Sequence, residues 1–215
     1  MLELKRSDIG FGRIVIDDSG VTRHGVFSTT FVGYDEIEDY RLTIGLTGHA
    51  PELLYLIEGV NLLPILNDVR RGMKGEHRFR FGIELVGRTR SVSFNWRFRD
   101  AGLGIAAILK RITPRLSELI RAEVANTGAA RFGTLHLSSQ TVQIGTRDPL
   151  RQGDVESIEL FDSSPIKVRV MKRGKVLPYG TLRMKDVPRI HALFETAEAF
   201  GYPVKGRNLL AALGG

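Results

Sequence analysis

Two distant stretches of the chain follow one pattern: "FGRIVIDDSGVTRHG", beginning at Phe11, and "FGTLHLSSQTVQIG", beginning at Phe132. Setting Phe11 on Phe132 places Gly12 on Gly133, Ile14 on Leu135, Ile16 on Leu137 and Val21 on Val142. Apolar residues at every second place have the period of a strand with one buried face. "DDSG" and "SSQT" interrupt that period with turn-forming residues, and a second short strand follows. Each stretch therefore predicts a β-hairpin. A chain that writes the same hairpin twice is constrained to repeat the sheet to which it belongs.

The parallel continues downstream. "YDEIEDYRL" (Tyr34 to Leu42) matches "QGDVESIEL" (Gln152 to Leu160), an acidic turn leading into a further strand. Another hairpin follows in "HRFRFGIELVGRTRSVSFNWRF". Phe79, Phe81, Ile83 and Leu85 alternate with polar or small residues, as do Val92, Phe94, Trp96 and Phe98, which assigns all these aromatics to the core. In the second half "IKVRVMKRGKVLPYGTLRM" takes this place, with Ile166, Val168 and Val170 facing one way, Lys167 and Arg169 the other, and "KRGK" at the turn.

Each half then ends in an amphipathic helix. The first follows Asp100 as N-cap and carries Leu103, Ile105, Ile108, Leu109, Ile112, Leu116, Leu119 and Ile120 at helical spacing, with Pro114 as a candidate kink. The second lies in "DVPRIHALFETAEAFG", with Asp186 as N-cap, Pro188 in the first turn and Gly201 as C-cap. Its buried stripe is Ile190, Leu193, Phe194 and Ala197. The expected fold is mainly β (α+β): two tandem units, each a strongly bent antiparallel sheet or barrel closed by a C-terminal helix.

This order resembles the pleckstrin-homology-like (PH-like) superfold, bacterial PH-like domains in particular. The resemblance rests on "FGRIVIDDSGV", "YDEIEDYRL" and "VSFNW" in the first half, and on "FGTLHLSSQTV", "GDVESIEL" and "GTLRMKDVPRIHALFETA" in the second. It implies a PH-like domain over 1–127, a second over 128–203, and a C-terminal tail over 204–215. The superfold hosts phosphoinositide binders, peptide binders and scaffolds, so it implies recognition without choosing the ligand. Phosphoinositide-binding members usually carry basic residues around the first hairpin. Here that turn holds Asp17 and Asp18 in the first half and Ser138, Ser139 and Gln140 in the second, with Arg13, Arg23 and His24 near the first only. Head-group binding at that place is not expected.

The halves differ most at "GLTGHAPELLYLIEGVNLLPILNDVRRGMKGE", about 45–76, where the second half has only "FDSSP". Its apolar residues surround a whole helical circumference, with Glu52 suited to a first turn, Arg70 and Arg71 to a last turn, and Gly59 and Pro64 suggesting a bend or two short helices. A helix apolar on most sides has to be covered by its own sheet, by a protein partner or second copy, or by a membrane surface. Leu53, Leu56, Ile57, Val60, Leu63 and Leu66 form the candidate partner interface.

A net charge of +7 and a pI near 9.9 favour anionic partners, although the charges are scattered. The absence of cysteine excludes disulfides, thiolate catalysis and cysteine-based zinc sites. The N-terminus lacks the apolar core of a signal peptide, and no run of about 20 apolar residues is present. A cytoplasmic location is expected, with a peripheral position at the membrane as a second reading.

No catalytic, cofactor or metal site is expected. His24, His49, His77, His136 and His191 have no metal-ligand spacing, and "GLGIAA" (Gly102 to Ala107) lacks the last glycine and the context of a dinucleotide loop. Asp35, Glu36, Glu38 and Asp39 read as solvated acids at the start of a strand. Arg78, Arg80, Arg88, Arg90, Arg97 and Arg99 can line one face of the first half's hairpin. Lys167, Arg169, Lys172, Arg173 and Lys175 are the candidate anion or lipid surface of the second, with Arg183 and Lys185 beyond them. Nucleic acid is not an expected partner, because the aromatics alternate inward. The expected role is a non-enzymatic interaction or adaptor module that binds a protein partner, with a homodimer left open. The alternative is a peripheral membrane protein recognising anionic phospholipid.

Overall fold

The computed structural model describes residues 1–5, 12–46, 79–161 and 166–206, and the architecture is mainly β. In the first half, β1 (Leu2–Lys5), β2 (Arg13–Ile16), β3 (Gly20–His24) and β4 (Thr29–Gly33) form an antiparallel sheet in chain order. A second sheet joins β5 (Ile37–Leu46), β6 (Phe79–Gly87) and β7 (Ser91–Asn95), and α1 (Ala101–Thr127) follows. The second half repeats the order. β8 (Ala129–Phe132), β9 (Leu135–Ser138), β10 (Thr141–Ile144) and β11 (Leu150–Arg151) form one sheet. β12 (Val155–Phe161), β13 (Lys167–Lys172) and β14 (Pro178–Arg183) form the next, followed by α2 (Ile190–Ala199) and β15 (Val204–Lys205). Among the described residues none of the four sheets closes into a barrel.

The repeat extends to register. β2 and β3 pair Ile16 with Val21, and β9 and β10 pair Leu137 with Val142. The two hairpin turns are also built alike. The Asp17 carboxylate accepts from the backbone N–H of Ser19 (2.8 Å) and Gly20 (3.1 Å). Ser138 Oγ accepts from Gln140 (3.3 Å) and Thr141 (3.0 Å), the same two positions onward. The β5–β6 and β12–β13 ladders slip at matching places, between Ile37 and Asp39 and between Val155 and Ser157.

Several boundaries differ from the sequence expectation. "LELK" and "AARF" are strands that precede each hairpin, too short for their alternation to stand out. β5 continues through Leu46, so the unrepeated segment does not begin at Gly45. The proposed helical insertion, including Leu53, Leu56, Ile57, Val60, Leu63 and Leu66, otherwise lies outside the described residues. The tail begins inside the fold, because β15 pairs in parallel with β12 through Ile158 and Val204. Asp100 stands at the N-cap of α1 but makes no side-chain cap bond. The N-cap of α2 is Arg189, because Met184–Asp186 forms a separate 3₁₀ turn. Pro114 sits within a continuous α1.

Buried side chains from both halves form one contiguous core. Within α1, Ile105, Ile108, Leu109, Ile112, Leu116 and Ile120 are buried, whereas Leu103 and Leu119 are exposed at the margins of the stripe. Gly104 allows the close approach of α1 to the first sheet. A Cβ there would lie 2.7 Å from Leu4 Cδ1 and 3.0 Å from Ile16 Cδ1. Gly104 of "GLGIAA" thus serves packing.

The halves meet along the free edge of β5. Arg189 N–H donates to the Tyr40 carbonyl (3.0 Å) and Ile166 N–H to the Ile44 carbonyl (2.9 Å). Beside this seam the buried Tyr40 hydroxyl lies 2.6 Å from His191 Nδ1 and accepts from the His191 backbone N–H at 3.3 Å. Burial pushes the Tyr40 phenol well above its ordinary value, so it keeps its proton beside Nδ1.

Candidate functional site

The side of the β5–β6–β7 sheet turned away from the core forms the floor of a cleft of about 900 Å³. Strand alternation builds it. Leu42, Ile44, Phe81, Ile83, Val92 and Phe94 point into the core. The intervening Arg41, Thr43, Arg80, Gly82, Glu84, Ser93 and Asn95 line the cleft. At its centre, Thr43, Gly82 and Asn95 are cross-strand partners. A Cβ on Gly82 would meet only ordinary contacts, the nearest 3.5 Å away. Packing does not require that glycine; its effect is to keep the floor low.

Cations surround this floor. Arg41 comes from β5, Arg80 from β6, Arg97 from the turn after β7, Arg23 from β3 and Lys185 from the second half. Five cationic side chains thus face two carboxylates, Glu84 and Asp186. Glu84 lies 3.6 Å from Arg41, and Asp186 is held by Arg183 at 2.7 Å. Arg23 is fixed by donating to the Ser93 carbonyl at 3.2 Å.

Trp96 stands at the wall and is 41% exposed, not buried as its place in the alternation predicts. The reason is local. β7 stops at Asn95, and a turn follows in which Phe98 N–H donates to the Asn95 carbonyl (3.0 Å) and Arg97 N–H to Asn95 Oδ1 (3.1 Å). The turn returns Phe98 to the core and leaves Trp96 outside. The Arg80 and Arg97 guanidiniums lie 4.6 and 5.7 Å from the indole centre, within cation–π range.

Only part of each basic set named from the sequence converges. Arg80 and Arg97 enter the cleft, while Arg88 pairs with Glu38 (3.4 Å) and Arg99 lies 3.9 Å from Asp100. Arg78 lies outside the described residues. In the second half, Arg169 is directly opposite Glu159 in the β12–β13 register. Its guanidinium is 3.6 Å from that carboxylate and 4.0 Å over the Phe161 ring. Arg169 is therefore an internally held cation. Lys167 and Lys172 are half-buried, and Arg173 and Lys175 are exposed on the loop between β13 and β14.

Elsewhere, Asp39 and Arg189 face each other across the seam at 4.0 Å, too far for a hydrogen bond. Burial pushes the Asp39 carboxyl up, partly offset by Arg189. Asp35, Glu36 and Glu38 are exposed. His24 contacts Thr29, and His49 and His77 lie outside the described residues. Among the described residues no group of three or more histidine and acidic side chains stands together to hold a metal, and no helix is long and apolar enough to cross a membrane. No protein-family model matches this chain, and no curated protein matches it in sequence.

Proposed function

We propose that the chain is a non-enzymatic interaction module of two PH-like units that binds an acidic segment of a protein partner in the arginine-rimmed cleft. The PH-like reading is supported by the repeated order of four strands, three strands and a helix, and by the matching bulges and turns. The observation that carries the binding reading is the cleft itself: an excess of cations around a low polar floor, with Trp96 exposed at the wall. Guanidinium forks match carboxylates in bidentate geometry, and exposed tryptophan and arginine dominate protein-binding hot spots. An acidic peptide suits the cleft better than nucleic acid. The indole already carries two guanidiniums where a base would stack. Lys185 makes the site dependent on both halves. The reading places this binding in the cytoplasm.

Trp96 is the only tryptophan in the chain, so its emission reports on the cleft directly. Titration with a poly-glutamate peptide is expected to change that emission saturably, and the affinity to fall with added salt. Arg80→Glu or Arg97→Glu should weaken binding about tenfold or more. Unchanged emission through the titration, or equal affinity in the reversed-charge variants, overturns the reading.

A further inference from the structure

The loop between β13 and β14 presents Val176 and Leu177, 93% and 78% exposed, at its far end. From Lys167 to Arg183 the hairpin contains no acidic residue. Arg169 is held by Glu159, Arg183 by Asp186, and Lys167 stands at the far end of β13, so Lys172, Arg173 and Lys175 are the cations beside the apolar pair.

The loop is built to hold this shape. Gly174 takes a left-handed conformation (φ +70°) that closes the turn, and Lys175 N–H donates to the Lys172 carbonyl at 3.1 Å. Arg173 N–H donates to the Asp154 carbonyl at 2.8 Å. At the base, Tyr179 Oη donates to the Asp148 carbonyl at 2.8 Å, and the Arg147 guanidinium donates to the Tyr179 carbonyl. The hairpin therefore projects two aliphatic side chains and three cations from a pinned base.

We infer that this tip is a membrane-docking wedge, in which Val176 and Leu177 enter the acyl boundary of an anionic bilayer while Lys172, Arg173 and Lys175 contact its head groups. A lipid surface complements both parts at once: negative charge for the cations, and an apolar layer just beneath for the side chains between them. The hollow that Lys172, Lys175, Val176, Leu177, Pro178 and Tyr179 enclose is lined chiefly by apolar surface and not by converging polar groups, so the occupant is the charged surface, not one lipid species. None of these residues lines the cleft, so the inference stands independently of peptide binding.

The test is co-sedimentation of the full chain, at low salt, with phosphatidylcholine vesicles with and without phosphatidylserine. Binding is expected only with phosphatidylserine. The double variant Val176→Asp/Leu177→Asp should lose at least tenfold in affinity, as should Lys172→Glu/Arg173→Glu. Soluble inositol hexakisphosphate at micromolar concentration should fail to compete. The emission of Trp96 and the urea midpoint serve as the folding control and should be unchanged in both variants. No binding to phosphatidylserine vesicles, equal binding to neutral ones, wild-type binding by the Val176→Asp/Leu177→Asp protein, or displacement by the soluble phosphate overturns the inference.

Discussion

The two halves cover the same sheet edge by different means. In the first, the outer edge of β5 is met by the second half, which donates Arg189 N–H and Ile166 N–H to its carbonyls. In the second, the equivalent edge of β12 is paired by the chain's own β15. The matching bulges differ accordingly. Asp39 turns toward Arg189 across the seam, whereas Ser157 is buried and donates to Glu159 at 3.0 Å. An unpaired edge is open to any passing strand, and each half has its edge occupied from within the chain. The difference teaches that the halves are not interchangeable: the first needs the second to complete it.

The largest test of that dependence uses matched core positions. Ile14 and Leu135 occupy equivalent places in the first hairpin strands, and both are fully buried. Ile14→Ala and Leu135→Ala should each cost about 2–5 kcal/mol. Because one core joins the halves, both should shift a single urea transition. Two transitions, each moved by only one of the substitutions, would break the comparison and make the halves independent.

A smaller effect is expected from two tyrosines that anchor the helices' surroundings. Tyr40→Phe removes the buried hydroxyl that bonds His191 Nδ1 and accepts from the His191 backbone N–H, at a cost of about 1–3 kcal/mol. Tyr202 donates to the Ser138 carbonyl at 2.9 Å, and burial pushes its phenol up to about 12. Tyr202→Phe loses one bond to a partly buried carbonyl and should cost about 0.5–1.5 kcal/mol. Equal losses in chemical denaturation would show that the seam between halves contributes no more than an anchor within one half.

What could be read in the sequence follows from the range of the interaction. Ile14, Ile16, Leu135 and Leu137 are legible because alternation and turn chemistry act over a few residues. β1 is not, because "LELK" becomes a strand only through β2, with which it pairs Leu4 to Ile14. Trp96 continued a period that the turn at Asn95 ends, and a local hydrogen bond overrides a two-residue pattern. The cleft was legible only in part. Arg80 and Arg97 share a hairpin, but Arg23, Arg41 and Lys185 come from three other elements, and nothing in a linear pattern brings them together. Arg169 shows the converse: it reads as a surface cation until cross-strand register places Glu159 opposite it.

The smallest difference between the halves lies in the first turn, and it is a difference in pH response. The Asp17 carboxylate is held below the usual carboxylate range by the Ser19 hydroxyl and then by the backbone N–H groups of Ser19 and Gly20. A lowered folded value means the unfolded chain binds the proton more readily. The turn's contribution is thus complete above the ordinary carboxylate value and is lost as pH falls through the folded one. Asp18, lowered by Arg111, adds in the same sense. Asp39, raised mainly by burial, acts oppositely: its contribution is complete below the ordinary value and is lost as pH rises through its folded one. Comparing variants isolates the turn from these neighbours. Asp17→Ser writes the second half's turn into the first and should flatten the acid limb of stability, whereas Ser138→Asp should steepen it, both read from urea midpoints across the acid range. Parallel acid limbs in wild type and both variants would mean that the two turns, carboxylate and hydroxyl, hold their hairpins equally whether or not the carboxylate is charged.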